Sequence, residues 1–244
     1  MTTRAEFLDR IRAEMRTTGG LFVARPAERP ARPADAAEIV RRQLAERWPE
    51  TLERFRAEFE RVGGVFHRVA RVADVPAVVG TLARERAARR LVAWHPTGIG
   101  ADLAAPLAAQ GLDVDVVTPG SGDAERQRIR AASAVADLGL TGVDLAVAET
   151  GTLVLRSGAG RPRSTSLLPP CHVAVFDRTT LVESLDQVGV LLESWHAEEQ
   201  ERWGAMINFI TGPSRTADIE LTLTRGVHGP KEVHAIFVDE RLGG

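Results

Sequence analysis

Residues 208–228 read NFITGPSRTADIELTLTRGVH, and this stretch joins an apolar strand to a crowded polar loop. Its first residues predict a buried strand, which Gly212 ends with a tight turn. Ser214 and Thr216 are residue types that cap helices, so we predict a helix over residues 216–223. Polar groups of both signs follow one apolar strand. A fold alone does not require them, so we interpret the stretch as the centre of a site.

From residue 63 onward, short apolar strands alternate with helices. The predicted strands are 65–69, 91–94, 114–118, 144–149, 152–156, 172–176, 206–210 and 233–238. The predicted helices are 74–88, 100–109, 123–137, 184–202 and 216–223. Repeated strand–helix units indicate a mainly parallel sheet that is covered on both faces.

Strands 144–149 and 152–156 are joined only by Thr150 and Gly151. This spacing is typical of a hairpin, because a parallel crossover needs about a dozen residues or more. We therefore expect a mixed sheet with at least one antiparallel pair. The predicted fold class is α/β, with a Rossmann-like, mixed and mainly parallel sheet.

The first part of the chain, residues 1–61, is predicted to be a helical N-terminal arm. Residues 5–17 have the apolar spacing of a helix, and the proline-rich residues 24–34 indicate an extended connector. Asp35 is predicted to cap the next helix, which Pro49 should break or kink. We expect this arm to serve packing or self-association, so a homo-oligomer is one predicted assembly.

Composition excludes several classes of function. The 244 residues suit one α/β domain, and a net charge of -2 gives no electrostatic case for nucleic acid or an anionic membrane. The sequence has no apolar run of membrane-spanning length and no signal-peptide core, so we expect a cytoplasmic protein. Cys171 is the only cysteine, which excludes an internal disulfide and a four-thiolate iron–sulfur site.

Three loops follow predicted strands and begin at His95, Thr150 and Thr211. Ligands of open α/β sheets bind beyond the carboxyl ends of strands, so we expect these loops to share one rim. Residues 97–100 lack the third glycine of a dinucleotide fingerprint, since Leu103 occupies that position, and we do not predict a nucleotide there.

The loop from Thr211 to Thr216 offers an anion site. Backbone N–H groups at a helix start attract anions, and Arg215 adds a bidentate cationic fork. The alternative is an ordinary capped turn in which Arg215 pairs with Asp218 or Glu220.

Two titratable side chains are candidates for catalysis. Glu149 ends an apolar strand, where it could be a general base, a nucleophile or the partner of Arg215. The alternative is a glutamate that points to solvent. His228 lies on a glycine-flanked loop and could titrate or orient a substrate. The six histidines show no H-x-H or H-x-x-x-H spacing, so we predict no metal site.

Residues 157–172 form a long loop rich in Gly, Ser, Arg and Pro, a composition typical of lids and binding segments. Arg161 and Arg163 could bind phosphate or carboxylate there, or they could be solvated loop arginines. Cys171 precedes a strand and is predicted to be an inert, buried thiol.

Three blocks carry a family resemblance: AETGTLVL at 148–155, LLPPCHVAVFD at 167–177 and INFITGPSRTADIELTLTRGVHGPKEVHAIFVD at 207–239. They resemble the LUD domain of the lactate-utilization protein C family. The resemblance covers roughly residues 62–239, within a predicted LUD domain at 62–244. It implies a fold similar to the sugar-isomerase and CoA-transferase (NagB/RpiA) group, which includes formyltetrahydrofolate cyclo-ligase.

The resemblance also implies a role in bacterial L-lactate oxidation to pyruvate, as one subunit of a three-protein system with iron–sulfur partners. Oxidation needs an electron acceptor, and this chain lacks the residues for one. We therefore expect no cofactor on this chain, iron–sulfur clusters on the partner proteins, and a small anionic substrate.

The predicted anion-binding residues are Thr150, Gly151, Gly212, Ser214, Arg215 and Thr216. Glu149 and His228 should flank the anion. Two alternatives stay open at this point. One is a stand-alone CoA-transferase-like or ligase-like enzyme that uses Glu149, in an E-x-G context, as a nucleophile. The other is a non-catalytic scaffold or regulatory subunit.

Overall fold

The computed structural model describes residues 3–17, 32–120, 122–198, 206–217 and 223–243. The helices are α1 (Arg4–Thr17), α2 (Pro33–Arg61), α3 (Val75–Glu85), α4 (Pro96–Ile99), α5 (Ala104–Ala108), α6 (Asp123–Val135), α7 (Ser164–Leu167) and α8 (Leu185–Glu198). The strands are β1 (Val65–Val69), β2 (Arg90–Ala93), β3 (Asp113–Val116), β4 (Leu138–Gly142), β5 (Leu145–Val147), β6 (Thr152–Arg156), β7 (Cys171–Asp177), β8 (Leu181–Val182), β9 (Ile207–Ile210), β10 (Arg215–Ala217), β11 (Leu223–Arg225) and β12 (Glu232–Val238).

Six strands form the main sheet, in the order β1-β12-β7-β4-β2-β3. All five pairings in it are parallel. Strand β7 is buried along its whole length and β12 along nearly all of it, as expected for parallel strands covered on both faces. The α/β class with a mainly parallel sheet is confirmed.

Strand β4 lies between β7 and β2, in a segment to which the sequence analysis assigns no strand. Its two glycines lower the strand propensity of this segment, so the sequence alone does not predict β4. Gly139 is required by packing, because a Cβ there would lie 1.9 Å from the Thr165 carbonyl oxygen. Tertiary contacts, and not local sequence preference, therefore stabilise β4.

A second sheet has the order β8-β5-β6-β9. Strands β5 and β6 are antiparallel with Leu145 opposite Val154, so the predicted hairpin is confirmed. This antiparallel pair belongs to the second sheet and not to the main one. The predicted single mixed sheet is therefore divided into two.

Helix α2 is continuous through Pro49, where the sequence predicts a break or a kink. Proline removes one helical hydrogen bond, but burial on both sides keeps the helix intact. Leu44 before Pro49 and Leu52 after it are both buried. The predicted break at Pro49 is therefore wrong, and a kink there stays a prediction.

The start of α2 also differs from the prediction. The helix begins at Pro33, so Asp35 lies within its first turn and is not the cap. The Asp35 carboxylate is 3.6 Å from the Arg32 guanidinium. An acidic group is still favourable near a helix start. Most of the predicted connector, residues 24–31, lies outside the described residues, whereas the predicted first helix is confirmed as α1.

The two halves of α2 belong to two apolar cores. The Phe55 ring stacks on Phe59 and meets Phe176 of β7 edge-on, with centroids 5.3 Å apart in both cases. Ala37 and Leu44 pack instead in a cluster between α8 and the second sheet. Helix α2 therefore ties the second sheet to the main sheet. The predicted domain boundary after the arm stays a prediction.

The segment predicted as a helix over residues 216–223 begins as a strand. Strand β10 pairs antiparallel with β11, and residues 218–222 lie outside the described residues. The Leu–Thr alternation that leads into β11 has the period of two typical of strands, a signal the sequence analysis misses. The helix-capping role predicted for Ser214 and Thr216 is therefore wrong.

Two further predicted helices are shorter than expected. Gly100, with φ +82, separates α4 from α5, so the helix predicted over 100–109 occupies only its second half. The helix predicted over 184–202 is α8 as far as residue 198, and the residues beyond it are not described. No helix within the described ranges has the length and hydrophobicity needed to span a bilayer.

Candidate functional site

Two of the three predicted rim loops meet through a row of threonine hydroxyls. Thr152 Oγ1 lies 2.7 Å from Thr150 Oγ1 and 2.8 Å from Thr211 Oγ1. Strands β6 and β9 are antiparallel neighbours, so the start of β6 lies beside the end of β9. The hairpin turn and the loop after Ile210 therefore share one surface.

The third loop lies at the opposite end of β6, so the expectation of one shared rim is wrong for it. The His95 N–H donates to the Gly160 carbonyl at 2.9 Å. Arg161, the residue after Gly160, binds the Asp144 carboxylate. Arg156, the last residue of β6, binds the same carboxylate. The length of β6 puts roughly 13 Å between this loop and the threonine row.

Ser214 lies at the amino edge of the main sheet. Its N–H donates to the Pro230 carbonyl at 2.9 Å, and the Gly226 N–H donates to the Ser214 carbonyl at 3.0 Å. Nearby, the Lys231 N–H donates to the carbonyl of Pro170, the residue before β7, at 2.8 Å. Strand β9 belongs to the second sheet, so its end need not meet the carboxyl edge of the main sheet. The predicted placement of this loop beyond that edge is therefore wrong.

The Arg215 guanidinium donates to the main-chain carbonyl of Val62, which directly follows α2. Gly63 has φ +90, and a Cβ there would lie 2.2 Å from Arg215 Nη2. The helix dipole favours a cation at the carboxyl end of a helix, which is where Arg215 binds. Its predicted carboxylate partners Asp218 and Glu220 lie outside the described residues.

Gly151 and Gly212 bring the backbone of both loops close to α2. Gly151 has φ +60, and a Cβ there would lie 2.4 Å from the Phe59 nitrogen. Gly212 has φ +78, and its Cβ would lie 2.6 Å from the Val62 oxygen. Positive φ and a close backbone neighbour both call for glycine. The contact that these glycines permit is with α2, and a ligand contact stays a prediction.

Glu149 is exposed and is held by the start of α8. Its Oε2 accepts a hydrogen bond from the Leu185 N–H at 3.0 Å, and its own N–H donates to the Glu183 carbonyl at 3.0 Å. A carboxylate at a helix start is stabilising by about 0.3–1 kcal/mol. Its partner in the structure is therefore α8 and not Arg215, and its catalytic role stays a prediction.

His228 lies beside Ser214, because its N–H donates to Ser214 Oγ at 3.3 Å. The residue is exposed, as is Arg215. Thr216 pairs with Thr224 through the backbone of the β10–β11 hairpin. Ser214, Arg215 and His228 therefore form one accessible region, which we call the amino-edge surface. A hydroxyl, a cation and an imidazole together suit recognition of a small anion.

Asp144 and two arginines form a cluster that the sequence analysis misses. The Asp144 side chain is 6% exposed and accepts from Arg156 Nε at 3.0 Å and from Arg161 Nη2 at 3.1 Å. Arg161 also lies over the Trp94 ring, 5.2 Å from its centroid. Arg161 is thus neither solvated nor free, whereas Arg163 is exposed. The hairpin register, which sets Asp144 near Arg156, is the sequence signal for this cluster.

A buried polar network between β1, β7 and β12 is the second group missed. His234 lies 3.0 Å from His67 Nε2 and 3.2 Å from the Glu232 carboxylate, which also binds Arg86. Donor atoms of Cys171, Glu232 and His234 lie within 4.8 Å of one another, a spacing that a metal could use. Burial raises the pKa of Cys171 to about 12, and Glu232 already binds Arg86. The predicted burial of the thiol is confirmed, and its inertness stays a prediction.

Three relatives give the similarity of this chain to known proteins. It is 44% identical over 117 residues to lactate utilization protein C of Halalkalibacterium halodurans, covering 48% of this chain and 50% of that protein. It is 42% identical over 106 residues to the protein of that name in Macrococcus caseolyticus, covering 43% and 46%. The chain is 36% identical over 159 residues to lactate utilization protein C of Shouchella clausii, covering 63% of this chain and 64% of that protein. The matches thus span about half to under two thirds of these relatives.

The crystal structure of a DUF162 family protein from Deinococcus radiodurans superposes with a TM-score of 0.52 at 23% identity. The superposition covers 78% of this chain and 98% of that one, which supports the α/β fold. Residues 52–238, most of the chain, match the model of the LUD domain. This chain therefore belongs to the LUD domain family.

Proposed function

We propose that this chain is a component of a bacterial L-lactate utilization system, in which lactate is oxidised to pyruvate. The observation that carries the proposal is family membership, together with 36–44% identity to relatives named lactate utilization protein C. Those matches span only part of each relative, so the whole-protein activity is extended to this chain as part of the proposal.

The oxidation removes two electrons and two protons from lactate, and an acceptor must take the electrons. A four-thiolate iron–sulfur cluster needs more than the single Cys171 of this chain. That thiol is also buried and protonated at neutral pH. We therefore assign the electron acceptors to iron–sulfur partner proteins.

The contribution of this chain, in our proposal, is recognition of a small carboxylate at the amino-edge surface. Lactate and pyruvate both carry a carboxylate, and a guanidinium can bind one bidentately. Arg215 has five N–H donors, and the hydrogen bond to Val62 uses one Nη. The Ser214 hydroxyl and His228 lie on the same surface, where they can orient the rest of the ligand.

Gene deletion and complementation test the pathway. Cells that lack the gene should fail to grow on L-lactate and grow normally on pyruvate, and the intact gene should restore growth. Normal growth of the deletion strain on L-lactate would remove the basis for the proposal. Growth restored by an Arg215→Ala/Glu149→Ala variant would keep the subunit in the pathway but favour the scaffold role.

A further inference from the structure

A cavity of about 560 Å³ opens at the carboxyl edge of the main sheet, away from the amino-edge surface. Its walls include Asp144 after β4, Arg178 after β7 and Arg241 after β12. These three strands are neighbours in the sheet. Small-molecule sites typically enclose roughly 300–1,000 Å³, and open α/β sheets bind ligands beyond this edge. We call this space the carboxyl-edge cavity.

Three arginines from separate elements converge on the cavity: Arg41 of α2, Arg178 and Arg241. All three are exposed. Among the described residues, no carboxylate lies within ion-pairing distance of any of them. Surface arginines elsewhere in the chain commonly pair with acids, as Arg42 does with Glu38 at 2.9 Å. Three cations that line one cavity and have no acidic partner in the described part of the chain suit an anion.

The acidic residue of the lining does not cancel this charge. Asp144 already binds Arg156 and Arg161 at 3.0 and 3.1 Å, so its negative charge is neutralised locally. The cavity as a whole is therefore positive. Charge-assisted hydrogen bonds to guanidinium groups are the strong recognition elements for carboxylates and phosphates.

Apart from Thr179, the remaining walls are apolar. Leu181 and Leu191 are buried, and Trp48 and Trp195 supply aromatic surface. The Trp48 ring stacks on Phe237, with centroids 5.9 Å apart, and Trp195 is covered by Arg156, whose guanidinium carbon lies 3.9 Å from the ring centroid. Aromatic surface fixed in this way favours a flat or apolar ligand body.

We propose that the carboxyl-edge cavity is a binding site for an organic anion. Its carboxylate or phosphate head group binds Arg41, Arg178 and Arg241, and its aromatic or apolar body packs against Trp48 and Trp195. This site is separate from the amino-edge surface, because the seven residues of β12 put roughly 20 Å between the two edges of the sheet.

A matched pair of fluorescent probes tests the proposal on the intact chain. The anion 8-anilinonaphthalene-1-sulfonate should bind at one site and gain emission, whereas the uncharged N-phenyl-1-naphthylamine, with nearly the same rings, should bind at least tenfold more weakly. Benzoate and phenyl phosphate, titrated separately, distinguish the two head groups. Displacement by either supports the proposal, and displacement by neither overturns it.

Variants locate the site. An Arg178→Gln/Arg241→Gln variant should weaken binding of the sulfonate on the order of tenfold or more, the loss expected for charge-assisted contacts. The matched control, Arg42→Gln, changes the neighbouring arginine of the same helix and should leave the affinity unchanged. Ala45→Phe places a ring at the cavity wall and should abolish binding. Wild-type affinity in both cavity variants, with normal melting curves, would overturn the proposal.

Discussion

Arg215 and Val62 are 153 residues apart in sequence, yet the guanidinium of Arg215 donates a hydrogen bond to the carbonyl of Val62. The contact joins the loop after β9 to the carboxyl end of α2. Gly212 packs against the same carbonyl. The most distinctive loop of the sequence is thus held against a helix that begins in the N-terminal arm.

Arg215→Ala should weaken binding of lactate or pyruvate at the amino-edge surface on the order of tenfold or more, because a charge-assisted contact to the carboxylate is lost. Isothermal titration calorimetry with each acid measures this. Arg54→Ala is the matched control, since Arg54 is an exposed arginine of α2. If wild type binds either acid and Arg215→Ala binds it equally well, the anion site is elsewhere.

Gly212→Ala should lower the free energy of unfolding by about 1–3 kcal/mol, because alanine is strained at φ +78 and its Cβ would lie 2.6 Å from the Val62 oxygen. Gly189→Ala is the contrasting control. Gly189 lies within α8 with open space around it, so alanine should stabilise by about 0.5–1 kcal/mol. Urea denaturation measures the free energy of unfolding of both variants. A change of the same sign in Gly212→Ala and Gly189→Ala would contradict this account.

Asp144→Ala should destabilise the fold by about 3 kcal/mol, since it removes the buried carboxylate that binds the guanidinium groups of Arg156 and Arg161. Asp113→Ala, at an exposed aspartate of β3, should change stability by less than about 0.5 kcal/mol. Chemical denaturation compares the two. Equal effects would mean that the Asp144 cluster contributes nothing beyond an exposed charge.

Stability should fall as the pH is lowered below 6.5. Burial lowers the pKa of His67 and His234 and lowers that of His172 to about 3. The unfolded chain therefore binds more protons than the folded chain below pH 6.5. The stabilising contribution is complete above that pH and is lost on acidification. For His172, whose pKa falls to about 3, the loss is about 1.4 kcal/mol per pH unit.

His172→Leu tests this directly, because it removes one buried titrating group. The slope of unfolding free energy between pH 6.5 and 4.5, from urea titrations, should decrease by about 1.4 kcal/mol per pH unit. His228→Leu, at an exposed position, should keep the wild-type slope. An unchanged slope in His172→Leu would contradict the account, whatever the absolute stability of the variant.

Cys171 should resist alkylation in the folded chain. The thiol is 2% exposed, and burial raises its pKa to about 12, so little thiolate forms at pH 8. Iodoacetamide should leave the native mass unchanged and add one carbamidomethyl group in 6 M guanidinium. Rapid modification of the native chain would show that the β7 region opens readily.

Local patterns predict the parts of the fold that depend on near neighbours. The β5–β6 hairpin follows from the short spacing of two apolar runs, although its turn has four residues, 148–151, where the sequence predicts two. Strands β7 and β12 follow from their apolar runs. Strand β4 depends on close packing around Gly139, which a single sequence does not reveal. A Leu–Thr alternation before and within β11 indicates a strand. The helix prediction relied instead on Ser214 and Thr216, which are residue types that cap helices.

Sequence reasoning finds the candidate site only in part, because its residues have distant partners. The threonine row and the contact of His228 with Ser214 agree with the predicted cluster. The binding of Arg215 to Val62 and of Glu149 to the start of α8 depends on helix packing across many residues. The convergence of three arginines on the carboxyl-edge cavity likewise appears only in the folded chain.

The central claim is that this chain works in L-lactate oxidation with iron–sulfur partners. The most direct measurement is affinity purification of the tagged chain from lactate-grown cells, followed by iron and acid-labile sulfide analysis and an assay of lactate-dependent reduction of dichlorophenolindophenol. We predict that iron–sulfur proteins co-purify and that L-lactate, but not D-lactate, reduces the dye. Recovery of the chain without iron, sulfide or lactate-dependent reduction would contradict the account.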